Sequence, residues 1–355
     1  MKIGMGLYSH KLNKDHYRFV KQAGATHIVA NLVDYFGSTT QLKSASADGK
    51  AMSRTQKDKP LWTYEMLRDL KRAINDEGME LAGLENFDPA HWYDVLLGGP
   101  ERDNQLENLK QLMRAMGKAG IPLMGYNFSI AGVWGHRQGP WSRGSAESVA
   151  FFADEVADTP MPKNQIWSIE YDESAPKDQF VRITEDELWN NLQAFLEALV
   201  PVAAEEGVIL SAHPDDPPMP RVRQTPRLVY EAHHYRRLLG LAPEKANKIT
   251  FCVGTFSEMQ NTDVYQAMEE YSGNQQVAYI HLRNVKGKVP KYFEVFLDEG
   301  DTDMIRILRQ LHRVQFEGVI IPGHTPRMTC NEPWHAGMAW QVGWMRAALS
   351  FIEKE

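Results

Sequence analysis

The sequence is short of several things, and each shortage closes off a class of protein. Cysteine is scarce: two residues in 355, Cys252 and Cys330, cannot build a disulfide framework, and they fit a reducing, intracellular setting. No window approaches about 18 consecutive apolar residues, which excludes a membrane-spanning helix. The opening MKIGMGLYSH carries one lysine and a short apolar stretch that runs straight into polar sequence. That is too short for the apolar region of a signal peptide, so a cytoplasmic protein is expected. Basic runs are short, no stripe of Lys and Arg interleaves with aromatics, and the formal net charge is -7. Nucleic acid is therefore not an expected partner. A homo-oligomer stays open. The chain also lacks any visible linker or internal repeat, and no Gly-rich phosphate turn follows its first apolar run.

What is present is a rhythm. With 43% apolar residues the chain can bury a large core. Short runs rich in Val, Ile and Leu recur at Ile3–Tyr8, Thr26–Leu32, Met79–Glu85, Leu123–Phe128, Val208–His213, Ile249–Val253, Val277–Arg283 and Gly318–Pro322. Helical periodicity fills the intervals. Leu106, Leu109, Leu112, Met113 and Met116 make one apolar face that stops at Gly120. Thr184 and Glu187 stand as a capping box before Leu188, Leu192, Phe195, Leu196 and Leu199. Eight buried strands alternating with helices imply parallel pairing. An open doubly wound sheet is the rival, and the missing phosphate turn favours the closed alternative: an α/β fold, a single (β/α)8 barrel over residues 1–355. Two connections, 33–61 and 129–183, are too long to be simple turns. Both follow strands, so both are expected at the catalytic face. The second, with Trp134, His136, Trp141 and Trp167, is expected to close as a lid.

The late strands end in chemically capable residues: His213 before Pro-Asp-Asp-Pro-Pro, Cys252, His281 followed by Arg283 and Asn284, and Gly323-His324. In a barrel these ends converge, and two imidazoles with a thiolate make a transition-metal site. Each alone has a plainer reading, as a hydrogen-bonded strand histidine or a small buried hydrophobe. Asp215 and Asp216 either orient His213 or merely shape a proline-stiffened turn. Arg283 offers a fork for a substrate carboxylate, or else an ion pair within the rim. Tyr8, His10, Glu85, Asn86, Tyr126 and Asn127 end the early strands as polar groups. Trp189, Trp340 and Trp344 sit at helical positions and read as core packing.

Taken together, His213-Pro-Asp-Asp-Pro-Pro, Tyr126-Asn-Phe, His281-Leu-Arg-Asn-Val and Gly300-Asp-Thr-Asp-Met resemble the mannonate dehydratase family over most of the chain. The first motif is the most specific. The resemblance implies a TIM barrel that dehydrates D-mannonate to 2-keto-3-deoxygluconate with a divalent metal, usually Mn2+. It places metal ligands at His213, Cys252 and His281 and acid–base chemistry at His324. The family ends strand eight with Pro-Asp-His, its Asp being a ligand, whereas Pro322-Gly323-His324-Thr325 stands here. The family's histidine before Gly-Asp-Val-Asp-Met is missing as well, with Leu297 near its place.

Removing the proton beside a carboxylate builds charge that a divalent metal and Arg283 could stabilise, while a base takes the proton and an acid protonates the departing hydroxyl. The candidate catalytic residues are His324, Arg283 and Tyr126, and the candidate substrate contacts are Asn127, Asn284, Asp215 and Arg327. Without the carboxylate at position 323 the site tilts from Mn2+ toward Zn2+, Fe2+ or Co2+, with room left beside the metal. Two alternatives remain: an isomerase, epimerase or lyase on the same barrel, and a sugar-acid binder without turnover.

Overall fold

Short Val-, Ile- and Leu-rich runs are buried on both faces only if a sheet closes around its own side chains and helices cover the outside. The computed structural model, which describes residues 1–37 and 53–355, has this arrangement. Eight parallel strands, β1 (Lys2–Tyr8), β2 (His27–Asn31), β3 (Glu80–Glu85), β4 (Leu123–Tyr126), β5 (Ile209–Ala212), β6 (Asn247–Cys252), β7 (Val277–Leu282) and β8 (Val319–Pro322), follow one another around a closed barrel. The ring shuts where Lys2 and Ile3 of β1 pair with Val319 and Ile320 of β8.

Side-chain alternation sorts each strand into two faces. Leu123, Val319 and Ile321 pack together inside the barrel. Met124, Tyr126, Ile320 and Phe251 belong to the layer between strands and helices. Alternation is interrupted twice. The register of β2 on β3 shifts between the pairs Ile28–Leu81 and Val29–Gly83. That of β6 on β7 shifts between Ile249–Val277 and Thr250–Tyr279. Each shift inserts one extra residue, a bulge, and moves every later side chain of that strand to the opposite face. Glu85 and His281 owe their inward direction to these bulges.

The helices start on the expected signals. Thr184 and Glu187 form a capping box in which each side chain meets the other's backbone amide. Asn13, Thr63, Asp263 and Asp303 cap four other helices through their side-chain oxygens. Trp189 is buried, and Trp340 and Trp344 pack partly buried against the core. Among the described residues no helix is long and apolar enough to cross a membrane.

The long connection after β4, expected to close as a lid, carries regular structure of its own. His136–Ser142 and Ala146–Phe152 form an antiparallel hairpin. This hairpin joins a second one, Asn284–Lys288 with Lys291–Val295, into a four-stranded sheet over the barrel mouth. Trp134 is buried beneath the Arg223 guanidinium, 4.2 Å from its ring, and Trp167 packs near Trp92. Trp141 packs edge-on against Phe152. These aromatics are therefore scaffold. Of the other long connection, 33–61, residues 38–52 lie outside the described residues. Its end is tied down where Ser53–Arg54 pairs with Ile169–Glu170 and Lys59 meets Asp88 at 2.6 Å.

Candidate active site

The inward positions at the C-terminal ends of β5, β6 and β7 bring His213, Cys252 and His281 together. Cys252 and His281 are directly paired in the parallel register. His213 follows β5, its backbone N–H donating to the Tyr126 carbonyl at 2.8 Å. One donor atom from each of the three side chains lies within 4.8 Å of the other two.

The chemistry of this set fits a divalent ion. His213 Nδ1 sits 2.7 Å from the Pro214 carbonyl oxygen, so the proton belongs on Nδ1 and the lone pair on Nε2. His281 Nε2 is buried without a hydrogen-bond partner, a demand that the protein leaves unmet. Burial would raise the Cys252 thiol, but Arg283 and the two imidazoles outweigh it and hold its pKa well below the ordinary value. A thiolate with two neutral imidazoles suits a transition ion. Glu85 Oε2 stands 3.5 Å from His281 Nε2. Burial disfavours the Glu85 charge, yet His281 and His213 pull its pKa below the ordinary carboxylate value. In the ion-free protein burial likewise opposes charge on His281, and Glu85 and Cys252 lift its pKa to about 10.

Beside this cluster Arg283 anchors a buried network of charges. Its Nη2 donates to Asp216 Oδ2 at 2.7 Å, to Thr255 Oγ1 at 2.9 Å and to Glu258 Oε1 at 2.9 Å, and its Nη1 donates to Glu294. Asp216 Oδ1 accepts from Tyr292 at 3.0 Å and faces His136 Nε2 at 3.1 Å. Glu294 in turn receives His324 Nδ1 at 2.9 Å. Burial dominates at Glu258 and pushes its carboxyl well above the usual range. At Asp216 burial loses to Arg283 and His136, and at Glu294 it loses to His324 and Arg283, so both stay ionised. Burial opposes charge on His324, and Glu294 overrides it and raises the pKa.

Several expected substrate contacts are used up within the protein. The Arg283 fork is taken by three carboxylates, so the ion-pair alternative describes it. Its stem runs past Gly323, where a Cβ would lie 2.9 Å from Arg283 Cβ. The space expected beside position 323 is thus filled by Arg283. Asp215 is buried against Arg227 at 3.0 Å and accepts from the Leu228 and Val229 amides at 2.9 Å, a turn anchor. Asn284 donates to Leu297 O at 2.7 Å and Thr302 O at 2.9 Å, stapling the hairpin to the Gly300-Asp301-Thr302-Asp303 segment. Tyr126 faces outward from β4 and packs on Phe195 at 5.0 Å, away from the barrel interior where Leu123 points. Arg327 sits at the rim with Glu147 at 2.9 Å. Asn127 is half-buried, its Oδ1 without a partner. Glu294 and Glu258 had drawn no notice in the sequence. The sole hint was a glutamate inside the otherwise apolar run Tyr292–Leu297, where a charge needs a partner.

A closed parallel barrel with an N, N, S donor set at its C-terminal mouth defines a metal-capable barrel enzyme. The profile of the D-mannonate dehydratase (UxuA) family matches residues 1–343, and the chain belongs to that family. It is 30% identical over 288 residues to mannonate dehydratase 2 of Halalkalibacterium halodurans, covering 78% of this chain and 82% of the relative. To the mannonate dehydratase of Oceanobacillus iheyensis it is 29% identical over 295 residues, covering 78% and 81%. The crystal structure of mannonate dehydratase from Streptococcus suis superposes with a TM-score of 0.78 at 24% identity, over 100% of this chain and 95% of that one. The fold extends to 3-keto-D-glucoside 4-epimerase from E. coli, with a TM-score of 0.57 at 15% identity over 98% and 99% of the two chains.

Proposed function

We propose that this chain removes water from D-mannonate or a closely related aldonate, giving a 2-keto-3-deoxy sugar acid, at a divalent ion held by His213, Cys252 and His281. The convergence of those three donors at adjacent strand ends, in a member of the D-mannonate dehydratase family, carries the reading. When bound, such an ion supplies Lewis-acid polarisation of substrate oxygens. The protein supplies the proton handling. His324 is fixed through Nδ1 by the buried Glu294, and its Nε2 makes no hydrogen bond among the described residues. With its side chain about one-third open, at 35%, His324 is the group to hold or move a proton at Nε2. Tyr8, inward at the end of β1, is kept a neutral phenol by burial, then by Glu85 and Glu294, and offers an O–H donor. Arg283 acts from behind, keeping Cys252 a thiolate and Glu294 ionised. The donor set suits Zn2+, Fe2+ or Co2+, while the family resemblance favours Mn2+. Both cysteines are free, which supports a cytoplasmic location. We read residues 1–355 as one barrel domain.

The test is metal analysis of the purified protein together with an aldonate panel assayed for 2-keto-3-deoxy product. Alanine at His213, Cys252 or His281 is expected to remove bound ion and turnover together. Retention of the ion by all three variants, or an isomerised product in place of a dehydrated one, overturns the reading.

A further inference from the structure

The three donors carry one negative charge between them, on Cys252, and position 323 contributes no side chain. Inside the barrel a carboxylate nevertheless faces the group from the opposite wall. Glu85 ends β3, and only the bulge at Ala82 turns it inward. Its Oε2 lies 3.5 Å from His281 Nε2. That separation is too long for a good hydrogen bond. It matches the spacing of two ligands on one ion, since donors each about 2.1 Å from a metal and about 110° apart stand about 3.4 Å from each other. Glu85 lies outside the group of donors that are all within 4.8 Å of one another, so its carboxylate would swing toward the other two to complete the set. Among the described residues His281 is the only group within ion-pair distance of Glu85. Once His281 serves as a neutral donor, the Glu85 charge, whose side chain is 15% exposed, would have no counterion within ion-pair distance, a cost that a cation in its place relieves.

Resting on the proposed His213–Cys252–His281 site, we infer that Glu85 is its fourth protein ligand, supplying the oxygen donor that position 323 cannot. An N, N, S, O set carries two negative charges and raises affinity for Mn2+, an oxygen-preferring ion, more than for Zn2+. Both the metal preference and the charge of the site would then be set by an early strand.

The experiment is direct titration of the metal-free full chain with Mn2+, Zn2+ and Co2+, for the wild type, Glu85→Gln and Glu85→Asp, with folding checked by circular dichroism. Partners that only orient a ligand typically change affinity about 10- to 100-fold. Glu85→Gln is expected to weaken Mn2+ by more than about 100-fold, to weaken Zn2+ less, and to change the visible Co2+ spectrum, which reports the coordinating atoms. Unchanged Mn2+ affinity overturns the inference. So does a weaker affinity with an unchanged Co2+ spectrum, which would make Glu85 an orienting group. If Glu85→Gln does not fold, Glu85→Asp decides, since an unchanged Co2+ spectrum with the carboxylate drawn back by one methylene also overturns it. A wild type that binds none of the three ions refutes the underlying site, a result separate from a wild type and Glu85→Gln that bind equally.

Discussion

Replacing Arg283 by methionine keeps much of the stem that packs beside Gly323 and deletes the guanidinium. What is lost follows from its partners. The single buried cation holds Asp216, Glu258 and Glu294, each no more than 4% exposed at the side chain. Glu258 is already biased to its neutral form by burial, so two carboxylates are stranded. His136 and His324 remain as partial partners. Breaking a buried pair from one side costs about 3–5 kcal/mol, and the remaining imidazoles place the expected loss near the lower end, about 3 kcal/mol. The pH dependence has a definite sign. In the wild type Asp216 is held well below its ordinary value, a contribution present above that value and lost as pH falls through the depressed one. In the variant burial is no longer opposed by Arg283, so the Asp216 and Glu294 pKa values rise and the folded state takes up protons as pH falls. The deficit should therefore shrink from pH 7 to pH 5. Urea unfolding with chelator present, which removes the linkage to bound metal, measures both. A loss below about 1 kcal/mol at pH 7, or a deficit that does not change with pH, would refute the view that Arg283 neutralises this cluster.

Other expectations follow from the same geometry. Glu294→Gln removes the charge that raises the His324 pKa, so the alkaline limb of kcat/KM should move to lower pH if protonated His324 is the working form; an unmoved limb separates the two residues. Gly323→Ala places a Cβ against Arg283 Cβ and should cost about 1–3 kcal/mol by denaturant unfolding, whereas a neutral result would show that the Arg283 stem gives way easily. Excising the hairpin tip around 143–145 and shortening its strands should lower the melting temperature, because Ala146–Phe152 pairs with the strand that carries Tyr292 and Glu294; unchanged stability would restore the lid reading.

Why the barrel could be read from the sequence while half of the site could not is a matter of range. Each strand is a local apolar run, and the eight observed strands lie within one or two residues of the runs that announced them. His213, Cys252 and His281 were visible because a parallel barrel delivers consecutive strand ends to one mouth, whatever lies between. Facing direction is harder, because it depends on counting by twos from a known inward residue. That count works in β4, where Leu123 faces inward and Tyr126 therefore outward, so regular alternation alone argues against a catalytic Tyr126. It fails in β3, where the bulge opposite Val29 reverses parity between Leu81 and Glu85 with Gly83 as its single sequence mark. The Arg283 network is illegible for another reason: its partners come from 216, 258 and 294, and a hairpin decides which glutamate reaches the guanidinium. A charged fork at a strand end looks the same in sequence whether a substrate or three protein carboxylates fill it. What distinguishes the cases is the number of buried acids nearby, and here Asp216, Glu258 and Glu294 occupy both terminal nitrogens of that fork, leaving only Nε, which is buried, without a partner. Recognition of a substrate carboxylate would then fall to groups whose donors are not consumed, with a divalent ion, where one is held by His213, Cys252 and His281, first among them.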